Sequence, residues 1–329
     1  VPPTIDLSSP PPRPTRLEAL PRRITVTLRE LQLVAEAAGG APLPFDLAAA
    51  PEAGAEPVPG GLEDRLGRSR GSSEEAAYAE ALGSLHDPAD SLARRGLLAD
   101  GRVDDGLAGA VGLLATPEVA LDLDLAVEGQ RARAWHRQAG GAVATLATVD
   151  GLVFELTWFG VDQWPLELAR VAVLPEDAAT GRSSVPDRLD VPYELLDAAG
   201  EAVRSDRPDL LPVLLARHPG VLRDGSGRPL DEVEAAAALA ALLHEPRGRL
   251  RALVADVSGT ETTVVGVVSW VLLADAWRAV RPHGTGARQG RQDGAEHRVD
   301  VVRIEPAGLA ADLAPVLAEV LDEPGQVPR

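Results

Sequence analysis

A helix that ends on a leucine pair, passes a proline and enters an alternating strand occurs twice in this chain, as LLATP leading into LDLDLAV and as LLHEP leading into LRALVAD. The elements after each passage keep the same order. After the first come a strand carrying Trp135, further strands and the helical LELARVAV; after the second come a strand ending at Trp270, the strand RVDVVRI and the helical LAADLAPVLAEVL. One order of elements used twice implies duplication, and the expected product is a pseudo-two-fold sheet with helices packed at its ends. The repeats run over about 23–175 and 185–322.

The DLDL stretch fixes which way the first of these strands faces. Residues two apart on a strand project from one side, so Leu121, Leu123 and Leu125 point into a core while Asp122 and Asp124 point into solvent. Two like charges on one face cost little in water, and no third ligand or water-activating partner stands nearby, so the pair is architecture rather than a catalytic dyad.

Around this strand the pattern is legible in outline. Residues 1–22, with SSPPPRPTR, form a Pro-rich tail. Ile24, Val26 and Leu28 alternate as a strand that feeds a helix ending at Gly39–Gly40. Residues 41–71 are a Pro, Gly and Ala-rich surface connection, and Ser72 with Glu75 makes a capping box for a helix through about Leu85. Asp104 caps another helix, with Leu107, Val111 and Leu114 on one face. Runs at 121–127, 131–138, 142–149 and, after the Asp150–Gly151 turn, 152–159 make an antiparallel meander. Then WPLELARVAVLP, VPYELLDAA and RPDLLPVLLARH read as helical, Asp231 with Glu234 makes a second capping box, and LRALVAD, TTVVGVVSW and RVDVVRI are strands. A helix from about Ala307 to Leu321 ends the pattern.

Composition narrows the function classes. With 45% apolar residues the chain can build a large core, and with no Cys it has neither disulfides nor thiolate chemistry. Lys, Met and Asn are also missing, which points to coding bias rather than mechanism. A net charge of −18, from 32 basic and 50 acidic residues, repels phosphate backbones and anionic lipid. The best local exception is RARAWHR, whose arginines read as the exposed face of a strand. No nucleic acid and no membrane partner is expected. A charged start followed by an apolar segment is lacking and no apolar run reaches about 18 residues, so the expected location is the cytoplasm.

The search for chemistry returns no constellation. The histidines at 86, 136, 218, 244, 283 and 297 have no metal-ligand spacing, and His136, beside Trp135 on a strand, is expected to face solvent. There is no G-x-S-x-G elbow and no S-x-x-K. GTGARQG neither follows a strand nor opens a helix, so it is a loop rather than a phosphate cradle. No catalytic residue, no metal and no cofactor is expected.

The stretches ITVTLRELQLVAEAAG with PLPFDL, GLLADGRVDDGLAGAVGLLATPEVALDLDL, the meander from RARAWHR to LVFELTW, and EPRGRLRALVADV with VVGVVSWVLLADAWRAVRP and RVDVVRIEPAGLAADLAPVLAEVL come in an order that resembles the EspG family. These are the cytoplasmic chaperones of type VII (ESX) secretion in actinobacteria. The resemblance spans about Ile24 to Leu321 and rests on pattern, without an invariant signature. It implies a single α+β domain over 23–329, with a central antiparallel sheet between two helical bundles and a quasi-two-fold repeat. It further implies a non-catalytic protein that holds the helical tip of a PE–PPE heterodimer before export. In the family the loop between the second and third strands contributes to partner binding; here it shrinks to Val127, Glu128, Gly129, Gln130 and Arg131, which with the C-terminal helical region become the expected contact. The loop between Pro282 and His297 is instead long and Gly-rich, which leaves room for a different client. On the residues alone two other readings stay open: an enzyme acting on a small polar substrate through dispersed Asp, Glu, Arg and His, and a structural protein that dimerises through its sheet edges.

Overall fold

The computed structural model describes residues 21–45, 87–174, 181–283 and 297–322, so the helix expected at Ser72–Leu85 and the Gly-rich loop 284–290 lie outside the described residues. Strand β1 (Arg22–Thr27) runs straight into helix α1 (Leu28–Ala37). The switch is local chemistry: the Glu30 N–H donates to the Thr27 hydroxyl at 3.3 Å, and the Thr27 N–H donates back to the Glu30 carboxylate at 2.8 Å. After α2 (Pro88–Arg94) and the short hairpin β2 (Leu98–Ala99) and β3 (Arg102–Val103), Asp104 caps α3 (Asp105–Ala115), as expected. Leu107, Val111 and Leu114 are its buried face.

The meander comes next as β4 (Val119–Val127), β5 (Gln130–Ala139), β6 (Ala142–Thr148) and β7 (Val153–Gly160), closed by α4 (Trp164–Val171). The second half repeats the plan: β8 (Arg188–Pro192) into α5 (Tyr193–Arg204), then α6 (Leu211–Ala216), β9 (Arg223–Asp224) and α7 (Glu232–His244). It continues with β10 (Gly248–Asp256), β11 (Thr263–Leu272), β12 (Trp277–His283), β13 (Arg298–Ile304) and α8 (Gly308–Asp322).

Eleven of these strands form one antiparallel sheet in the order β1-β7-β6-β5-β4-β10-β11-β12-β13-β8-β9. Outward from the β4–β10 seam, the order is β5, β6, β7, β1 on one side and β11, β12, β13, β8 on the other. The fold is therefore α+β with a quasi-two-fold sheet. The seam itself is a ladder from Val119↔Asp256 to Val127↔Gly248, centred on the pair Leu123↔Ala252.

Three apolar clusters cover the sheet. On one face, at its two ends, α1, α2 and α3 pack on β1, β5, β6 and β7 through Val26, Leu31, Leu107 and Phe154, while α5, α6 and α7 pack on β8 and β13 through Leu189, Leu195, Leu239 and Val301. On the other face α4 and α8 cover the middle, with Leu168 and Leu309 against Leu121, Leu123, Leu250 and Trp270. The helices thus lie at the sheet ends as expected, with a further pair over the seam.

Several local expectations are corrected. Residues 41–45 carry no helix or strand, in keeping with a connection, but Phe45 packs inward, its ring 5.1 Å from Trp135 and 5.2 Å from Phe154; the rest of the expected 41–71 connection lies outside the described residues. Arg22, expected in the tail, opens β1. VPYELLDAA is a strand end followed by a helix, because Pro192 closes β8 and Tyr193 opens α5. WRAVRPH, for which the pattern predicts no element, is β12. His136 does not face solvent but is 2% exposed, because the meander side that carries it is roofed by α4.

Candidate partner-binding site

The β4–β5 hairpin turns on two residues, Glu128 with φ 51° and Gly129 with φ 84°, a two-residue connection with both central residues left-handed. That geometry matches the strand twist and keeps the hairpin tight. Glu128 also ties the turn to the neighbouring half: its N–H donates to the Arg247 carbonyl at 2.8 Å and its carboxylate accepts from the Arg247 guanidinium at 3.1 Å. Arg131 is bound bidentately to Asp124, at 3.1 and 2.6 Å. The guanidinium donating to Asp124 holds that carboxyl below the usual range, with burial opposing. Asp122 accepts from Arg137 at 2.6 Å. The aspartates of DLDL therefore share the face expected of them, with each carboxylate taken up by an arginine of β5.

Of the five residues expected at a partner contact, Val127, Glu128, Gln130 and Arg131 line a groove of about 320 Å³; Gly129 shapes the turn. Sequence reasoning missed the groove's far wall, Val149, Val171, Val173, Leu174 and Trp277. Val149 is 71% and Val173 60% exposed, so two branched apolar side chains stand open to solvent beside one groove. The signal was weak because each lies just past the end of an element, Val149 after β6 and Val173 after α4.

Through Leu125, Ala132 and Val171 the groove adjoins a cavity of about 200 Å³ beneath α4. Its floor is set by strand register: His136 of β5 faces Thr145 of β6, which faces Thr157 of β7, which faces Arg23 of β1. The next row, Ala134 and Ala147, is small and leaves the space. From the roof, Trp164 Nε1–H donates to His136 Nδ1 at 3.0 Å, and Glu167 Oε2 accepts from Arg23 and, at 3.0 Å, from Arg170. Burial, with the nearby Arg137 cation, pushes His136 down to about 3. Burial pushes the Glu167 carboxyl up, against the pull of Arg23. A ring that stays neutral at physiological pH and a carboxylate shared by two guanidiniums form a hydrogen-bonding site.

No protein-family profile matches this sequence, and no curated protein does. Among the described residues no helix is long and apolar enough to cross a membrane. The fold, however, is shared with a solved structure, that of the Mycobacterium tuberculosis type VII secretion system chaperone EspG5 in complex with the PE25–PPE41 dimer. The superposition has a TM-score of 0.56 at 13% identity and covers 90% of this chain and 96% of that one. The chain has an EspG-like fold.

Proposed function

We propose that this protein is a non-catalytic chaperone of a type VII secretion system, which binds a secreted helical client of the PE–PPE kind in the cytoplasm and holds it for export. One observation carries the reading: the near end-to-end likeness to EspG5, which includes both halves of the sheet and leaves little of either chain unmatched. The client contact is the groove beside the β4–β5 hairpin, from Val127 to Arg131, together with the C-terminal helical region. A groove walled by Val149, Val173 and Leu174 suits the apolar side chains of a helical tip, in the manner of helix-in-groove recognition. The reading includes a single domain of two repeats, about 23–175 and 185–322, supported by the mirrored strand order.

The test is capture of a client on co-expression in the native host. Reversing the charges of Glu128 and Arg131 is a poor probe, because both are ion-paired within the chain. Val149→Glu and Val173→Glu are better: both side chains are already exposed, so the melting temperature should barely move, while client capture should fall at least tenfold. Undiminished capture by a folded double variant rules out the groove. Recovery of only small metabolites, with no helical protein, rules out the chaperone reading itself.

A further inference from the structure

The two halves of the sheet fill corresponding rows differently. His136 faces Leu121 on β4. Carried through the midpoint of the seam, Leu121 becomes Leu250, and the residue facing Leu250 is Trp270. In the second half, then, a buried indole fills the row, with its Nε1–H donating to Asp312 of α8 at 2.8 Å. In the first half the same row holds an imidazole and two threonine hydroxyls over a void.

Those three side chains are nearly inaccessible, at 2% for His136, 8% for Thr145 and 1% for Thr157. Because Nδ1 of His136 accepts from Trp164, the proton of the neutral ring sits on Nε2. Among the described residues no protein group bonds to His136 Nε2 or to either threonine hydroxyl, and all three residues line the cavity. Glu167 is half used: both arginines donate to Oε2, leaving Oε1 as an acceptor in the cavity wall. Polar groups are ordinarily paired, so the partners of this row come from whatever enters the cavity they line, solvent or a ligand.

The donor set dictates the chemistry of that occupant. Glu155 and Glu167 are matched in number by Arg23 and Arg170, while Arg133, which also borders the cavity, alternates with Ala132 and Ala134 and so projects from the other strand face. The side chains on the cavity's own face therefore have no net charge to compensate a buried ion, and desolvating one would be costly. The walls offer an N–H donor, two hydroxyls and a carboxylate oxygen, with alanines and leucines around them. A primary carboxamide matches: its oxygen accepts from His136 and a threonine, and its NH2 donates to Glu167. We propose that this cavity is a specificity pocket for an asparagine or glutamine side chain of the client, entered from the hairpin groove that it adjoins. This assignment rests on the client reading above; the pocket chemistry does not.

Titration of the full chain with propionamide, propionate and propylammonium tests the pocket, read from the imidazole resonances of His136 and the methyl resonances of Thr145 and Thr157. Propionamide should give saturable shifts that the two ions do not, and Thr145→Val with Thr157→Val should abolish them. Because the hydroxyls have no protein partner, that double variant should melt no lower than the parent. Absence of any saturable shift, equal shifts with all three probes, or a clear drop in melting temperature overturns the pocket. With a captured client, the same variant should bind it at least tenfold more weakly; unchanged affinity overturns the assignment to a client side chain. If no helical client is captured at all, the chaperone reading fails while the propionamide result stands by itself.

Discussion

His136 shows how far a single side chain can depart from its sequence environment. In RARAWHR it sits among arginines, and nothing in a seven-residue window tells which of two strand faces α4 covers. Register decides: His136 shares its face with Leu121 and Ala134 rather than with Arg137, so it is buried neutral. Its folded pKa of about 3 lies below the usual value near 6.5, so the stability it contributes is complete above pH 6.5 and is lost as pH falls from there toward 3. The slope is at most about 1.4 kcal/mol per pH unit. Glu167, raised by burial, works in the opposite direction and takes up a proton more readily when folded. His136→Gln, which keeps an acceptor for Trp164, is therefore expected to flatten the decline of unfolding free energy between pH 6.5 and 4. Urea melts of both proteins at several pH values check it; parallel curves would mean that the folded protein protonates the ring freely.

At the scale of elements, legibility in the sequence depended on whether one element explained its own pattern. The β4 leucines did, as did the capping boxes and the buried face of α3, because these signals are local. β12 stayed hidden because WRAVRPH mixes two arginines and a proline into the strand, and its burial comes from neighbours on both sides: Trp277 and Ala279 face α4 and α8. The candidate groove was legible only as a hairpin; its opposite wall comes from the ends of β6 and α4, brought together by the fold. The strand-face reading of β4 has a direct test. Leu123→Ala is expected to cost about 2 to 5 kcal/mol, since that side chain is in the central core. Asp122→Asn is expected to cost less, about 1 kcal/mol, yet more than a free surface change, because it weakens the hold on Arg137, whose side chain is 9% exposed. Urea melts rank the two, and a larger loss from Asp122→Asn than from Leu123→Ala would reverse the faces.

For the whole molecule the decisive feature is the seam. β4 and β10 pair along their full length, and the cluster above them takes Leu121, Leu123 and Leu168 from the first half and Leu250, Trp270, Trp277 and Leu309 from the second. Neither half can complete this core alone. A separated first half would present β4 as a long open edge with an apolar face, the kind of strand that aggregates. Residues 21–174 and 181–322, expressed separately, are therefore expected to be aggregated or to lack a cooperative melt. Co-expressed, they should assemble one to one, because nine ladder pairs and the shared core re-form between them. Size-exclusion chromatography with circular dichroism distinguishes the outcomes. If either half is a folded, cooperatively melting monomer by itself, the seam is a docking interface between two independent domains. The different fillings of the two rows, Trp270 on one side and His136 over a cavity on the other, would then belong to separate folding units. If the halves fold only together, the two copies of the plan share one cooperative core, in which Trp270 fills one copy of the row and His136 borders a cavity in the other.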